Sequence, residues 1–229
     1  MTDRANPQAT IGELLRGLQD EIDLLGREIA RLERAGPSGD DWEHRERIRD
    51  LQKRSSSLVG QYVVGQRLLG CRDLSSLLQA LTEVLESLVG LASFAVYWRE
   101  EPDGNLLRCA VEPPQSTCSR EVRPGDGPVG AAAARGEAFV VRPEERVFTE
   151  PATPIGWFPI RHEGRAVGGI AVFEMLSHKK CFEAEDLEIL EMLSAHAATA
   201  IRSALSATLE QLDVGSFAEA IARIEGAGR

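Results

Sequence analysis

Residues 122–141 read VRPGDGPVGAAAARGEAFVV, and three kinds of local chemistry follow one another in them. Pro124-Gly125-Asp126-Gly127-Pro128 is a turn, made of residues that accept positive φ or fix φ in advance. Residues 129–135 are an Ala-rich run of high helix propensity, and Gly136 stands where a helix C-cap is expected. Phe139-Val140-Val141 is an apolar strand. A turn, a short helix and a buried strand set so close together point to a small regulatory domain rather than to an enzyme loop. The same glycines make a poor phosphate cradle. A dinucleotide fingerprint follows a strand and opens a βαβ unit, whereas residues 120–123 are too short and too polar for that strand.

Working outward, residues 93–98 (SFAVYW) alternate in the manner of a half-buried strand. Residues 105–111 follow the Pro102-Asp103-Gly104 turn, so the two strands read as a hairpin. Residues 157–161 and 166–173 read as two more strands, joined at Glu163-Gly164-Arg165. Phe182-Glu183-Ala184-Glu185-Asp186 then opens a long helix, with acidic residues in its first turn.

This succession resembles that of GAF domains, sensor modules related to PAS. The glycine turn, short helix and Gly136-Glu137 strand resemble the family's central signature. Phe158-Pro159-Ile160, Gly164 and Gly168-Gly169-Ile170-Ala171-Val172 resemble its strand pair, and Phe182 with Asp186 its last-helix start. The resemblance covers residues 73–209. It implies an α+β fold, a GAF-like antiparallel sheet flanked by helices, here preceded by a two-helix coiled-coil arm.

The arm, residues 1–70, carries heptads. Leu15, Ile22 and Ile29 fall on one set of positions, and Ile11, Leu18, Leu25 and Leu32 on the other. With Ile at a and Leu at d, parallel coiled coils favour two strands. The pattern breaks at residues 35–41 (AGPSGDD), which cannot continue a helix. A second repeat runs through Ile48, Leu51, Leu58, Tyr62 and Leu69 out of register with the first. Two helices joined by a turn therefore fit better than one rod, either folded back as a hairpin or packed on another subunit. The GAF-like domain is expected over residues 71–209, with a helix over 74–88 capped by Asp73. A short amphipathic tail over 210–229 has Phe217, Ile221 and Ile224 on one face. The resemblance implies pairing through first and last helices, so a homodimer interface is expected at Leu15, Leu18, Ile22, Leu25, Ile29, Leu51, Leu58, Ile201 and Leu205.

Composition narrows the function. Formal net charge is −10 over 229 residues, which argues against nucleic acid and against an anionic membrane surface as partners. The N-terminus lacks a signal-peptide core and no run is long enough to span a membrane, so a cytoplasmic protein is expected. The four cysteines and four histidines show no metal-ligand spacing, and no metal site is expected.

GAF domains hold ligands between sheet and covering helices, which implies a region from Pro113 to Gly156 here. Its candidate lining is Phe139, Arg146, Phe148 and Trp157. Covalent bilin attachment is not expected, because no Cys precedes a His. The cyclic-nucleotide pattern of the family survives in Lys179, Phe182 and Asp186 without its Asn and final acid. The family's enzyme is free methionine-(R)-sulfoxide reductase, and Cys118 matches the first of its three cysteines. Pro128 stands near the second and residues 149–156 offer no third, which leaves Cys109 as the remaining resolving candidate. Only some twenty residues follow the GAF-like part, and no output module is recognisable. The expectation is a non-catalytic regulatory or adaptor protein of intracellular signalling. It dimerises through helices, with a small-molecule ligand possible, and acts on a separate protein partner. The alternatives are a ligand-free scaffold and, behind it, a Cys118-dependent sulfoxide reductase.

Overall fold

The computed structural model describes residues 7–35, 41–99, 104–114, 118–145 and 153–227. The chain divides into two compact units, Met1–Leu69 and Gly70–Arg229.

The first unit is helical, with α1 at Pro7–Ala35 and α2 at Asp41–Gly70. The two run antiparallel. Arg54 meets Glu21 at 2.6 Å, and an ideal Cβ on Gly65 would lie 2.6 Å from Leu15 Cδ2. Leu15 thus packs on a helix of its own chain, in the spot that the missing side chain of Gly65 leaves open. Leu15 and Leu25 are buried, while Leu18, Ile22, Ile29, Leu51 and Leu58 are half-buried.

The second unit is built on a six-stranded antiparallel sheet of order β3-β2-β1-β6-β5-β4. Its strands are β1 Leu91–Trp98, β2 Leu106–Glu112, β3 Glu121–Val122, β4 Phe139–Val140, β5 Gly156–His162 and β6 Arg165–Met175. The helices are α3 Leu74–Ser87, α4 Gly127–Arg135, α5 Ala184–Leu212 and α6 Phe217–Ala227. Strand alternation sends side chains to two faces. Ala95, Tyr97, Trp157 and Ala171 form one core with Val129 and Ala132 of α4. Phe94, Val96, Ile170 and Val172 point the other way, toward the face that α3 and α5 cover.

Local chemistry explains the helix ends. Asp73 caps α3, accepting from the Ser76 N–H at 2.8 Å while the Ser76 side chain returns the bond. α4 starts at Gly127, two positions before the Ala-rich run, because Pro128 is well placed in a first turn, where no N–H partner is needed. Gly136 ends it in the left-handed conformation at φ 67°. At Gly130 the need is for space: an ideal Cβ would sit 2.3 Å from the Arg123 carbonyl oxygen. The turn folds so tightly over α4 that the Gly125 N–H reaches Gly130 O at 2.7 Å.

α6, in the stretch expected as an amphipathic tail, buries Phe217, Ala220 and Ile221 and falls in the second unit. Its contacts run to α5, and Glu225 pairs with Arg120 at 2.8 Å beside β3. Ile201 and Leu205 of α5 are buried in the single chain.

Candidate functional site

The face expected to hold a ligand is the one under α4. Trp157 is 1% exposed, and its ring lies over Gly169, where an ideal Cβ would meet the indole at 2.2 Å. The indole fills the space that a side chain at position 169 would take. Tyr97 is fully buried beside it and donates its hydroxyl to the Ser119 carbonyl at 3.0 Å. Burial pushes the Tyr97 phenol above its ordinary range, so it acts as a neutral donor. Phe139 pairs with Trp157 across the β4–β5 ladder, and the Arg135 guanidinium sits 4.9 Å from its ring centroid. Phe139, Phe173 and Cys118 close the margins of this core.

Among the described residues, a cavity of about 80 Å³ lies between Tyr97, Phe173, Cys118, Val122 and the Asp126–Pro128 turn. At roughly 30 Å³ per water, it has room for two or three waters. Sites for small organic ligands run to about 300–1,000 Å³. The Trp157 Nε1–H is buried and has no hydrogen-bond partner among the described residues, and Trp157 is not among the residues that line this cavity. The structure brings Phe139 and Trp157 together across the β4–β5 ladder, beside this core. Arg146 and Phe148 lie outside the described residues.

Lys179, Phe182 and Asp186 are committed to the interior. Lys179 Nζ reaches Asp186 Oδ1 at 2.5 Å and the Val89 carbonyl at 2.7 Å. The second Asp186 oxygen accepts from the Glu183 N–H at 2.7 Å, which caps α5. Phe182 packs edge-on against Phe158, with ring centroids 5.6 Å apart. The motif that resembles a nucleotide-binding pattern thus ties the start of α5 to the turn before β1. The recognisable residues in sequence were Lys179 and Asp186; their partner Val89 carried no signal, because a backbone carbonyl is contributed by any residue.

None of the four cysteines is joined in a disulfide. Cys109 is half-buried as a residue, but its sulfur is enclosed and donates to Val96 O at 3.2 Å. Burial pushes its pKa up to about 12. A thiol so hard to ionise is a poor nucleophile or resolving group. Arg108 donates to the Cys118 backbone carbonyl, so this guanidinium is engaged with main chain. Among the described residues, no three His, Cys, Asp or Glu side chains come together as a metal site, and no helix is long and apolar enough to cross a membrane.

His196 is half-buried on α5, and burial lowers its pKa below the usual 6.5. Above pH 6.5 it is neutral in both folded and unfolded chains. As pH falls below that value the unfolded chain takes up the proton first, so stability drops until the folded pKa is passed. The wild-type protein is expected to lose more stability than His196→Gln between pH 7.5 and pH 5.5 in urea titrations (roughly the two sides of an ordinary His pKa). Parallel losses in the two proteins would show that His196 is not the group responsible.

Comparison with known proteins agrees with this architecture. The sequence matches the family model of the GAF domain over residues 71–202. Among solved structures, the GAF domain of an Acinetobacter phosphoenolpyruvate-protein phosphotransferase is 16% identical with a TM-score of 0.54, covering 65% of this chain and 94% of that one. The corresponding domain from Coxiella burnetii is 17% identical with a TM-score of 0.51, over 65% and 94% of the two chains. A free methionine-R-sulfoxide reductase from Neisseria meningitidis is 19% identical with a TM-score of 0.47, over 66% and 89%. The two likenesses with a TM-score above 0.5 speak for the fold alone. No curated protein matches the sequence. The family match spans more than half of the 229 residues and falls on the sheet with its flanking helices α3, α4 and α5, and the chain belongs to the GAF domain family.

Proposed function

We propose that this protein is a non-catalytic GAF regulator or adaptor of the cytoplasm, a homodimer through its helices, that docks to a separate protein. The observation that carries this reading is the packing under α4. Trp157, Tyr97, Ala95 and Ala171 fill the described part of the face that would otherwise receive a ligand, and Lys179 and Asp186 hold each other. A core filled by its own side chains is a rigid platform for contacts made elsewhere. Four cysteines without a disulfide suit a reducing compartment.

Native mass spectrometry of the full chain, followed by denaturing release, tests the reading. The expected result is a dimer without a stoichiometric small molecule. A stoichiometric ligand would replace the adaptor by a sensor. Charged substitutions at Ile22 and Leu25 are expected to abolish the dimer while the circular dichroism spectrum of the sheet domain persists. A double variant that stays fully dimeric would remove the arm from the interface. Thiol-dependent sulfoxide turnover that is lost in Cys118→Ser would overturn the non-catalytic assignment.

A further inference from the structure

A groove of about 540 Å³ lies between α5 and the β4 end of the sheet, away from the residues already discussed as ligand candidates except Phe139. Phe158 and Pro159 line it from β5, and Val140 and Leu187 are 38% and 40% exposed on β4 and α5. Exposed aliphatic residues facing one concavity are uncommon without a partner.

The backbone beside it has a defined polarity. Phe139 pairs with Trp157, and the Val141 N–H donates to Ile155 O at 2.7 Å. Antiparallel ladders alternate, so the residue between these two, Val140, directs its N–H and C=O away from β5. Among the described residues β4 is the last strand of the sheet, and an edge of this kind is a template for another extended chain. A groove bounded by an edge strand and a helix lets such a chain bond its main chain to the strand. Every second side chain then lies against the helix.

The charges suit the same occupant. Arg161 lines the groove from β5 and Glu191 from α5, and no ion pair joins them. Arg161 already donates to the Gly136 and Gly164 carbonyls, which fixes the guanidinium and leaves further N–H groups for a carboxylate. Two opposite charges on two walls orient a chain that carries both signs.

We infer that this groove binds an extended segment of a partner protein, added as a strand beside β4. An aliphatic side chain of the segment is seated between Val140 and Leu187, with an acidic group toward Arg161 and a basic group toward Glu191. The inference rests on the adaptor reading above and names the surface on the sheet domain that serves it.

The test uses the full chain as bait for a displayed library of random peptides, with enriched sequences remade as labelled peptides for anisotropy titration. Enriched peptides are expected to alternate aliphatic residues. Leu187→Asp, on an exposed helical position, is expected to weaken them by at least about tenfold at unchanged melting temperature. Glu191→Lys is expected to reverse the preference for a basic residue, and Val140→Pro to remove binding by taking away the outward N–H. No enrichment, or enriched peptides that bind Leu187→Asp and wild type equally, overturns the groove assignment. A partner protein that still binds all three variants would do the same while leaving the adaptor reading intact. A small molecule released from the groove would defeat both.

Discussion

Asp186→Ala is expected to cost the second unit about 3–5 kcal/mol, the range for breaking a buried ion pair from one side. Asp186 is a buried carboxylate, and the side chains of Lys179 and Asp186 are only 15% and 5% exposed. Removing the carboxylate leaves an ammonium with the Val89 carbonyl alone, and it also deprives the Glu183 N–H of its acceptor at the start of α5. Both losses fall where the turn before β1, the strand β6 and α5 converge. At roughly 2–4 °C per kcal/mol for a unit of this size, the melting temperature falls by roughly 6–20 °C. Asp186→Asn keeps an acceptor for the Glu183 N–H and is expected to fall between the alanine variant and wild type. Differential scanning fluorimetry of the three proteins checks the order. An alanine variant that melts within the error of wild type would mean that the pair is solvated in solution.

Gly168→Ala is the second large effect, at about 3 kcal/mol. Gly168 lies on β6 between Trp98 of β1 and Ile160 of β5, in the middle of the sheet. An ideal Cβ there would sit 2.3 Å from the Tyr97 carbonyl oxygen and 3.3 Å from the Trp98 Cα. Both obstacles are backbone atoms, so no side-chain rotation makes room. The strands must separate, and the ladder that positions Tyr97 and Trp157 separates with them. Urea denaturation is the measurement: the midpoint should drop while the slope stays constant. A midpoint unchanged from wild type would mean that β1 and β6 can spread without loss.

These two residues mark how far the sequence could be followed. Lys179 and Asp186 stood out as the remnant of a family pattern without its Asn and final acid, and Asp186 also as part of the last-helix start. In the fold, their charge is consumed by each other and by Val89, ninety residues away along the chain. Gly168 stood in a recognisable strand motif, but nothing adjacent in sequence says that its hydrogen must face Tyr97. Trp157, a candidate for ligand contact through the family resemblance, packs in a core against Gly169, a neighbour that nothing local in the sequence announces. The arm shows the same division. Heptads made two helices legible, while the break expected at residues 35–41 lies largely outside the described residues, and the pairing of Leu15 with Gly65 depended on which helix faces met.

What the sequence by itself determined was local. Periodicity marked the strands and the arm helices, Asp73 and Gly136 set helix ends, and the glycines of residues 125–130 required a tight turn over a short helix. Each follows from the φ, ψ and hydrogen-bonding demands of a few consecutive residues. Only the tertiary structure decided the strand order, the packing of Trp157 against Gly169 under α4, the pairing of Lys179 with Asp186, and the groove between β4 and α5. Those depend on which distant surfaces meet. Close packing makes that outcome a property of side-chain volumes brought together from across the chain, which no local window contains.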